Sequence, residues 1–244
     1  MALDVAERLK RPYELTAVFR HQGSLEAIAL LQELATFCRV LGDQSPELST
    51  WYLKGESREE AARYGVFDAN GPTTAATAVV TEELRKEVDP RIIGIWNGKT
   101  DANGASLQII ARPGPETSTA ILRVKPGAFP QAYEGAVAVV QAAALQWQAS
   151  AITLESGGYF PLKVFKDRPG VGWMIYLPTT LTVQQVPEAG ALIPVIDGKK
   201  QIGTIVVSVT DAPFSDADPE HVRIANKIEV RLVDQDLLPR YAAL

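Results

Sequence analysis

Few residues in this sequence have both the type and the spacing to do chemistry. In IPVIDGK, Asp197 and Lys199 follow an apolar run as acid, any residue, Lys. That is the order in which a strand of a magnesium-dependent nuclease presents a metal ligand and a cation, and Asp167 is the candidate second acid. The same letters also read as a hairpin turn, because Asp-Gly tolerates positive backbone dihedrals. In WNGKTDANGA, Lys99, Asp101, Asn103 and Gly104 fall at alternating places, as calcium ligands do before the glycine of a calcium loop. The first ligand position is then a cation and the twelfth is Ile110 instead of a bidentate glutamate, so a turn between strands is expected.

Nucleophilic catalysis is as poorly served. ESGGYF resembles half of a nucleophile elbow around Ser156, but Leu154 stands where the first glycine should be. The two histidines, His21 in a predicted loop and His221 in the first turn of the last predicted helix, have no evident orienting partner. Cys38 is the one cysteine, so no internal disulfide is possible. It falls on an apolar helix face, where burial raises a thiol pKa. Asp216 and Asp218 read as a loop residue and a helix cap. No phosphate-binding or dinucleotide fingerprint occurs. These readings give no catalytic residue, no metal ligand set and no cofactor.

The elements that position these residues follow from hydrophobic period. YELTAVFR (13–20) reads as a strand, and Ser24 as the cap of a helix running past Cys38 and ending at Gly42. Its stripe is Leu30, Leu34, Phe37 and Leu41, with Leu31 and Cys38 adjoining. SPELSTWYLKG and SREEAARYG suggest two short helices, and TAVVTEELRKEV a third before Pro90. RIIGIW, ASLQIIAR and STAILRVK read as a meander with one apolar face, covered by a helix within 130–147 that carries Tyr133, Val137, Val140, Ala144 and Trp147. SAITLES, GWMIYLP, ALIPVI and IGTIVVSV add up to four strands, the last two joined by DGKK. A closing helix is capped by Asp218, with Pro219 at its first position, Glu220 in its first turn and Val222, Ala225, Ile228 and Leu232 inside.

These elements predict an α+β fold: a single domain over 1–244, with a largely antiparallel sheet of six to seven strands and helices packed on it. RPGPET and KPGAFP would be hinges in a two-lobed alternative, but their shortness favours turns within one sheet. Of the 244 residues 46% are hydrophobic and 22% charged, the net charge is −5, and no apolar run approaches the roughly 20 residues of a membrane span. The amino-terminal residues lack the pattern of a secretory signal, so a cytoplasmic location is expected. The acidic balance disfavours direct nucleic-acid binding. Trp51, Tyr52, Tyr159, Phe160, Trp173 and Phe214 stand at or beside predicted turns, most of them as core.

Four stretches taken in order, STWYLKGESREEA, GIWNGKTDANGASLQI, GVGWMIYLP and IGTIVVSVTDAPFSDADPEHVRIANKIEVRLVDQDLL, resemble the immunity protein 52 family of bacterial polymorphic toxin systems. Trp51 with Gly55, Trp96-Asn97-Gly98, Gly172-Trp173 with Tyr176, and the block from Gly203 to Leu238 carry the resemblance. It spans nearly the whole chain, with no clear match before about Thr16. It implies a cytoplasmic antidote, with no enzymatic activity, that binds a cognate secreted toxin. Such toxins often carry a restriction-endonuclease-like nuclease domain and are delivered by contact-dependent machinery such as type VI secretion. The family does not locate the interface. Loops at one sheet end are the expected contact surface: Asp101, Asn103, Asp167, Arg168, Asp211, Phe214 and Asp216. Two rival classes stay open, a metal-dependent hydrolase using Asp197 and Lys199, and a small-ligand regulatory module with a sizeable apolar pocket.

Overall fold

The computed structural model describes residues 11–54, 65–86 and 89–244. Eleven strands occur among them: β1 (Tyr13–Arg20), β2 (Tyr52–Leu53), β3 (Phe67–Asp68), β4 (Gly71–Pro72), β5 (Arg91–Trp96), β6 (Ala105–Ala111), β7 (Thr117–Val124), β8 (Ala151–Ser156), β9 (Met174–Leu177), β10 (Ala191–Asp197) and β11 (Lys200–Val207). The α-helices are α1 (Ala27–Gln44), α2 (Thr74–Lys86), α3 (Tyr133–Trp147) and α4 (Pro219–Asp234).

The main sheet has nine strands in the order β10-β11-β9-β8-β1-β7-β6-β5-β2, every neighbouring pair antiparallel. The α+β reading holds, and the strand count corrects the expected six to seven. All eight apolar runs enter one sheet, and β2 adds an edge of two residues, too short to show a period of two. β2 falls in a stretch read as helical, where only Pro46–Leu48 forms a 3-10 turn. The predicted helix SREEAARYG lies outside the described residues apart from Gly65.

β1 is the middle strand. Ala17 pairs with Ala120 of β7 on one side and Ile152 of β8 on the other. Both neighbours run antiparallel to it, so they are parallel to each other, and α3 is the crossover joining them over one face. The side chains of Tyr13, Leu15, Ala17 and Phe19 face that crossover and are buried. Trp147 of α3 stacks on Phe19 at 5.7 Å between ring centroids and meets Phe37 of α1 at 4.9 Å, so one indole joins strand and both helices. Ala136, Ala143 and Ala144 of α3 are fully buried, which allows this close seating. RPGPET and KPGAFP are turns on either side of β7 within the one sheet.

The opposite face is covered at the β8–β9–β11 half by α4 and by the β8–β9 connection, so all four residues of β9 are buried. The C-terminal stretch continues across it. Arg20 Nη2 and Thr117 Oγ1, both from outward positions of their strands, donate to the Leu244 carbonyl at 2.8 and 3.1 Å. At the outer edge, β10 carries Pro194, which offers no N–H, and a register shift between Val195 and Ile196. Asp197-Gly198 forms the expected tight turn, with Gly198 at φ +58°.

Two helix boundaries differ from expectation. α1 begins at Ala27 with no side-chain cap, because Ser24 Oγ instead accepts from the Glu26 N–H at 3.2 Å. It runs through Gly42 to Gln44. The glycine serves close packing, since a Cβ there would sit 3.3 Å from Ser49 Cα. α2 starts earlier than its apolar pattern, and Thr73 Oγ1 accepts from the Ala76 N–H at 3.2 Å in cap geometry. In α4, Asp218 caps as expected, Oδ1 accepting from Glu220 N–H at 2.8 Å.

Candidate functional site

The long β8–β9 connection is held by buried polar groups. Glu229 of α4 is 1% exposed, and its two oxygens accept from the Tyr159 hydroxyl at 2.7 Å and from the backbone N–H groups of Val164 (2.8 Å) and Val171 (3.1 Å). Asn226 Nδ2, one turn earlier, donates to the Leu162 carbonyl at 3.2 Å. Burial raises the Glu229 pKa although these donors oppose it. Next to it, Glu155 of β8 lies directly opposite Glu14 of β1, and burial lifts its carboxyl to about 7 against the pull of Lys163. The Lys163 ammonium donates to the Arg168 carbonyl (2.7 Å) and the Tyr241 hydroxyl (2.9 Å), and its pKa is lowered by desolvation. This cluster fastens a loop: Glu229, Asn226, Tyr159 and Lys163 are each hydrogen-bonded to backbone or to another member.

The fastened loop and α4 enclose a groove of about 790 Å³. Its apolar surface comes from Leu162, Val164, Val222 and Val230, of which Leu162, Val164 and Val230 are 41, 44 and 40% exposed. That exposure makes it an open trough along a helix, and its volume and apolar lining also meet the sizeable apolar pocket expected of a small-ligand module. Arg223, Lys227 and Arg231 line it at successive helical turns.

The seven loop residues expected at the interface separate into two groups. Asp101 is exposed and Asn103 half-buried in the β5–β6 turn, where Asp101 Oδ1 accepts from Asn103 N–H at 2.8 Å. Asn97 organises that turn from the interior, its amide donating to the Glu47 and Asn103 carbonyls and its oxygen accepting from Ala105 N–H. Asp211 is exposed after β11. Asp167, also exposed, pairs with Arg240 at 2.8 Å, and half-buried Arg168 donates to the Leu238 carbonyl. Phe214 and Asp216 are interior. Phe214 meets Tyr159 edge to face at 5.3 Å, while Asp216 is held by Arg11 at 2.6 Å and by the Ser156 hydroxyl at 2.8 Å.

The residues of the rival enzymatic readings are not assembled. Asp197 and Lys199 are exposed in the β10–β11 turn, whereas Asp167 is tied to the C-terminal stretch. Among the described residues no group of three or more His, Cys, Asp or Glu side chains could hold a metal. Ser156 donates to Asp216; His21 is buried against Glu33 at 2.9 Å, and His221 Nδ1 accepts from Ser215 N–H. Cys38 is buried, with its thiol pKa raised by that burial. Of the turn aromatics, Trp51, Tyr159, Trp173 and Phe214 are core, Tyr52 is half-buried and Phe160 is 54% exposed.

The positions that suggest a family are scaffold positions. Trp51 Nε1 donates to the Leu48 carbonyl at 2.8 Å and Trp173 Nε1 to the Val209 carbonyl at 2.9 Å. Tyr176 of β9 lies over Gly203 of β11, where any Cβ would strike its ring. Gly55 lies outside the described residues. With this frame in place, the immunity protein 52 family model matches residues 20–240. The chain belongs to the immunity protein 52 family. Membership supports an immunity function, a toxin as partner and a role other than catalysis. The solved structure of "Pseudomonas aeruginosa T6SS protein PA0821" matches with a TM-score of 0.50 and 11% identity, covering 90% of this chain and 76% of that one. At that identity the likeness is one of fold. No curated protein sequence matches. In this immunity protein 52 member, sequence reasoning missed the groove. Its one sequence signal was Arg223, Lys227 and Arg231 at spacing four on the predicted last helix, since Leu162 and Val164 join it only through the fastened loop.

Proposed function

We propose that this protein is a cytoplasmic antidote that binds a cognate secreted toxin of the nuclease type and neutralises it by forming a tight complex. The observation that carries the reading is membership of an immunity family over residues 20–240. The structurally similar Pseudomonas protein is named as a T6SS protein, which supports delivery of the toxin by type VI secretion. The partner is a protein; nucleic acid and membrane are not bound directly, and no cofactor is used. Nanomolar affinity corresponds to about 12 kcal/mol of binding free energy, usually over roughly 1,600 Å² of interface. A broad sheet with firmly bonded loops meets that need with little ordering on association. Asp101, Asn103, Asp167, Arg168 and Asp211 keep their place as candidate contacts, while Phe214 and Asp216 act from inside by holding the β11–α4 loop.

The test uses the toxin domain encoded beside this gene. Purified antidote should bind it at nanomolar concentration, suppress its nucleic-acid cleavage at one-to-one stoichiometry and protect cells that express it. Full cleavage in the presence of excess antidote, or magnesium-dependent cleavage by the antidote alone that is lost in Asp197→Ala, overturns the reading.

A further inference from the structure

We infer that the groove between α4 and the β8–β9 connection seats an acidic amphipathic segment of the partner; the identity of that partner as a toxin rests on the function proposed above. Leu162, Val164 and Val230 are each at least 40% exposed; with Val222 they line one groove, the first two from the β8–β9 connection and the last two from α4. Clustered exposed aliphatics of this kind mark association surfaces. Phe160, 54% exposed, and Tyr241, 48% exposed, extend the patch, with the Lys163 ammonium 4.5 and 4.8 Å from their ring centroids. α4 spans about 24 Å at 1.5 Å per residue, long enough to lie beside about four turns of a partner helix.

Charge selects the sign of that partner. The chain carries −5 overall, yet the α4 wall presents Arg223, Lys227 and Arg231 at i, i+4 and i+8. Within the lining Glu188 and Arg231 neutralise each other, and Asp216 is paired with Arg11. Asp234 closes one end. Arg223 pairs with Glu220 on its own helix. Lys227, in the middle of the stripe, makes no salt bridge to any described residue. At the neighbouring lip Lys166 donates, among the described residues, to the carbonyls of Phe160, Pro161 and Lys163, and its Nζ lies 5.8 Å from the Phe160 ring. Exposed intrahelical pairs such as Arg223–Glu220 are weak and exchange readily for intermolecular ones. An incoming segment with aliphatic residues at i, i+3, i+4 and i+7, flanked by glutamates, therefore finds apolar area beside the Lys227 and Lys166 ammonium groups.

Two arms test this. In the first, Leu162→Asp and Lys227→Glu are compared with wild type for binding the adjacent toxin domain, with Ile28→Asp as a control on the exposed side of α1. Expected are losses of about tenfold or more for Leu162→Asp and about threefold to tenfold for Lys227→Glu, and no change for the control. A toxin bound equally well by wild type and both groove variants overturns the inference and leaves the antidote function standing. In the second arm, the isotope-labelled protein is titrated with a helical Leu/Glu peptide of about four turns and with its Leu/Lys counterpart. Amide shifts along α4 with the acidic peptide only, weakened by Lys227→Glu and by added salt, are expected. Equal binding of both peptides, or shifts confined to other elements, overturns the inference even where toxin binding itself fails.

Discussion

Glu229 shows how one buried carboxylate determines a surface. Its oxygens receive three donors from the β8–β9 connection, and Glu229→Gln would replace one acceptor with an N–H donor facing a backbone N–H. The expected loss is about 2–4 kcal/mol of stability by urea denaturation, with greater exchange of the Val164 and Val171 amides. Tyr159→Phe keeps the ring and removes one donor, so its loss should be smaller, about 1 kcal/mol. Glu155 gives a pH dependence of definite sign. Its folded pKa of about 7 lies above the ordinary carboxyl value of 4.5, so the folded state holds the proton more tightly. Stability therefore falls as pH rises from about 4.5 to 7, and the penalty is complete above that window. Glu155→Gln should flatten this slope in denaturation midpoints measured at pH 5 and pH 8; an unchanged slope would show that Glu155 titrates normally.

Local period was sufficient to place most elements, and it failed where long-range bonds decide the outcome. The stripe of α1 and the alternation of β6 and β7 are written in neighbouring residues, so they were legible. Phe214 is different. It follows a proline in an irregular segment, and the perpendicular ring of Tyr159, 55 positions earlier, packs on it together with His221. Asp216 has the same history through Arg11 and Ser156. The groove was illegible for a related reason, because one side of it is a loop shaped by Glu229. At the scale of strand pairing, Gly203 admits the Tyr176 ring where β9 meets β11. Gly203→Ala would also place its Cβ 2.5 Å from the Leu177 carbonyl oxygen. An expected destabilisation of about 1–3 kcal/mol would appear as a lower Tm, with the fold retained by circular dichroism.

Across the molecule, the central strand is the first among the described residues, and its partners arrive much later: Tyr13 waits for Val124 and Ser156. No hairpin can complete the middle of this sheet, and the loop-closure entropy must be met before its core contacts form. Refolding from denaturant is expected on a timescale of milliseconds to seconds or longer in stopped-flow fluorescence, with Trp173 and Trp147 reporting late. Submillisecond refolding would mean that pairing of β1 with β7 and β8 does not limit the rate.

The outer strand β10 bears on self-association. With Pro194 interrupting its ladder and an irregular register beyond Val195, it makes a poor template for a strand from another copy. Copies of this chain can then accumulate without growing into filaments.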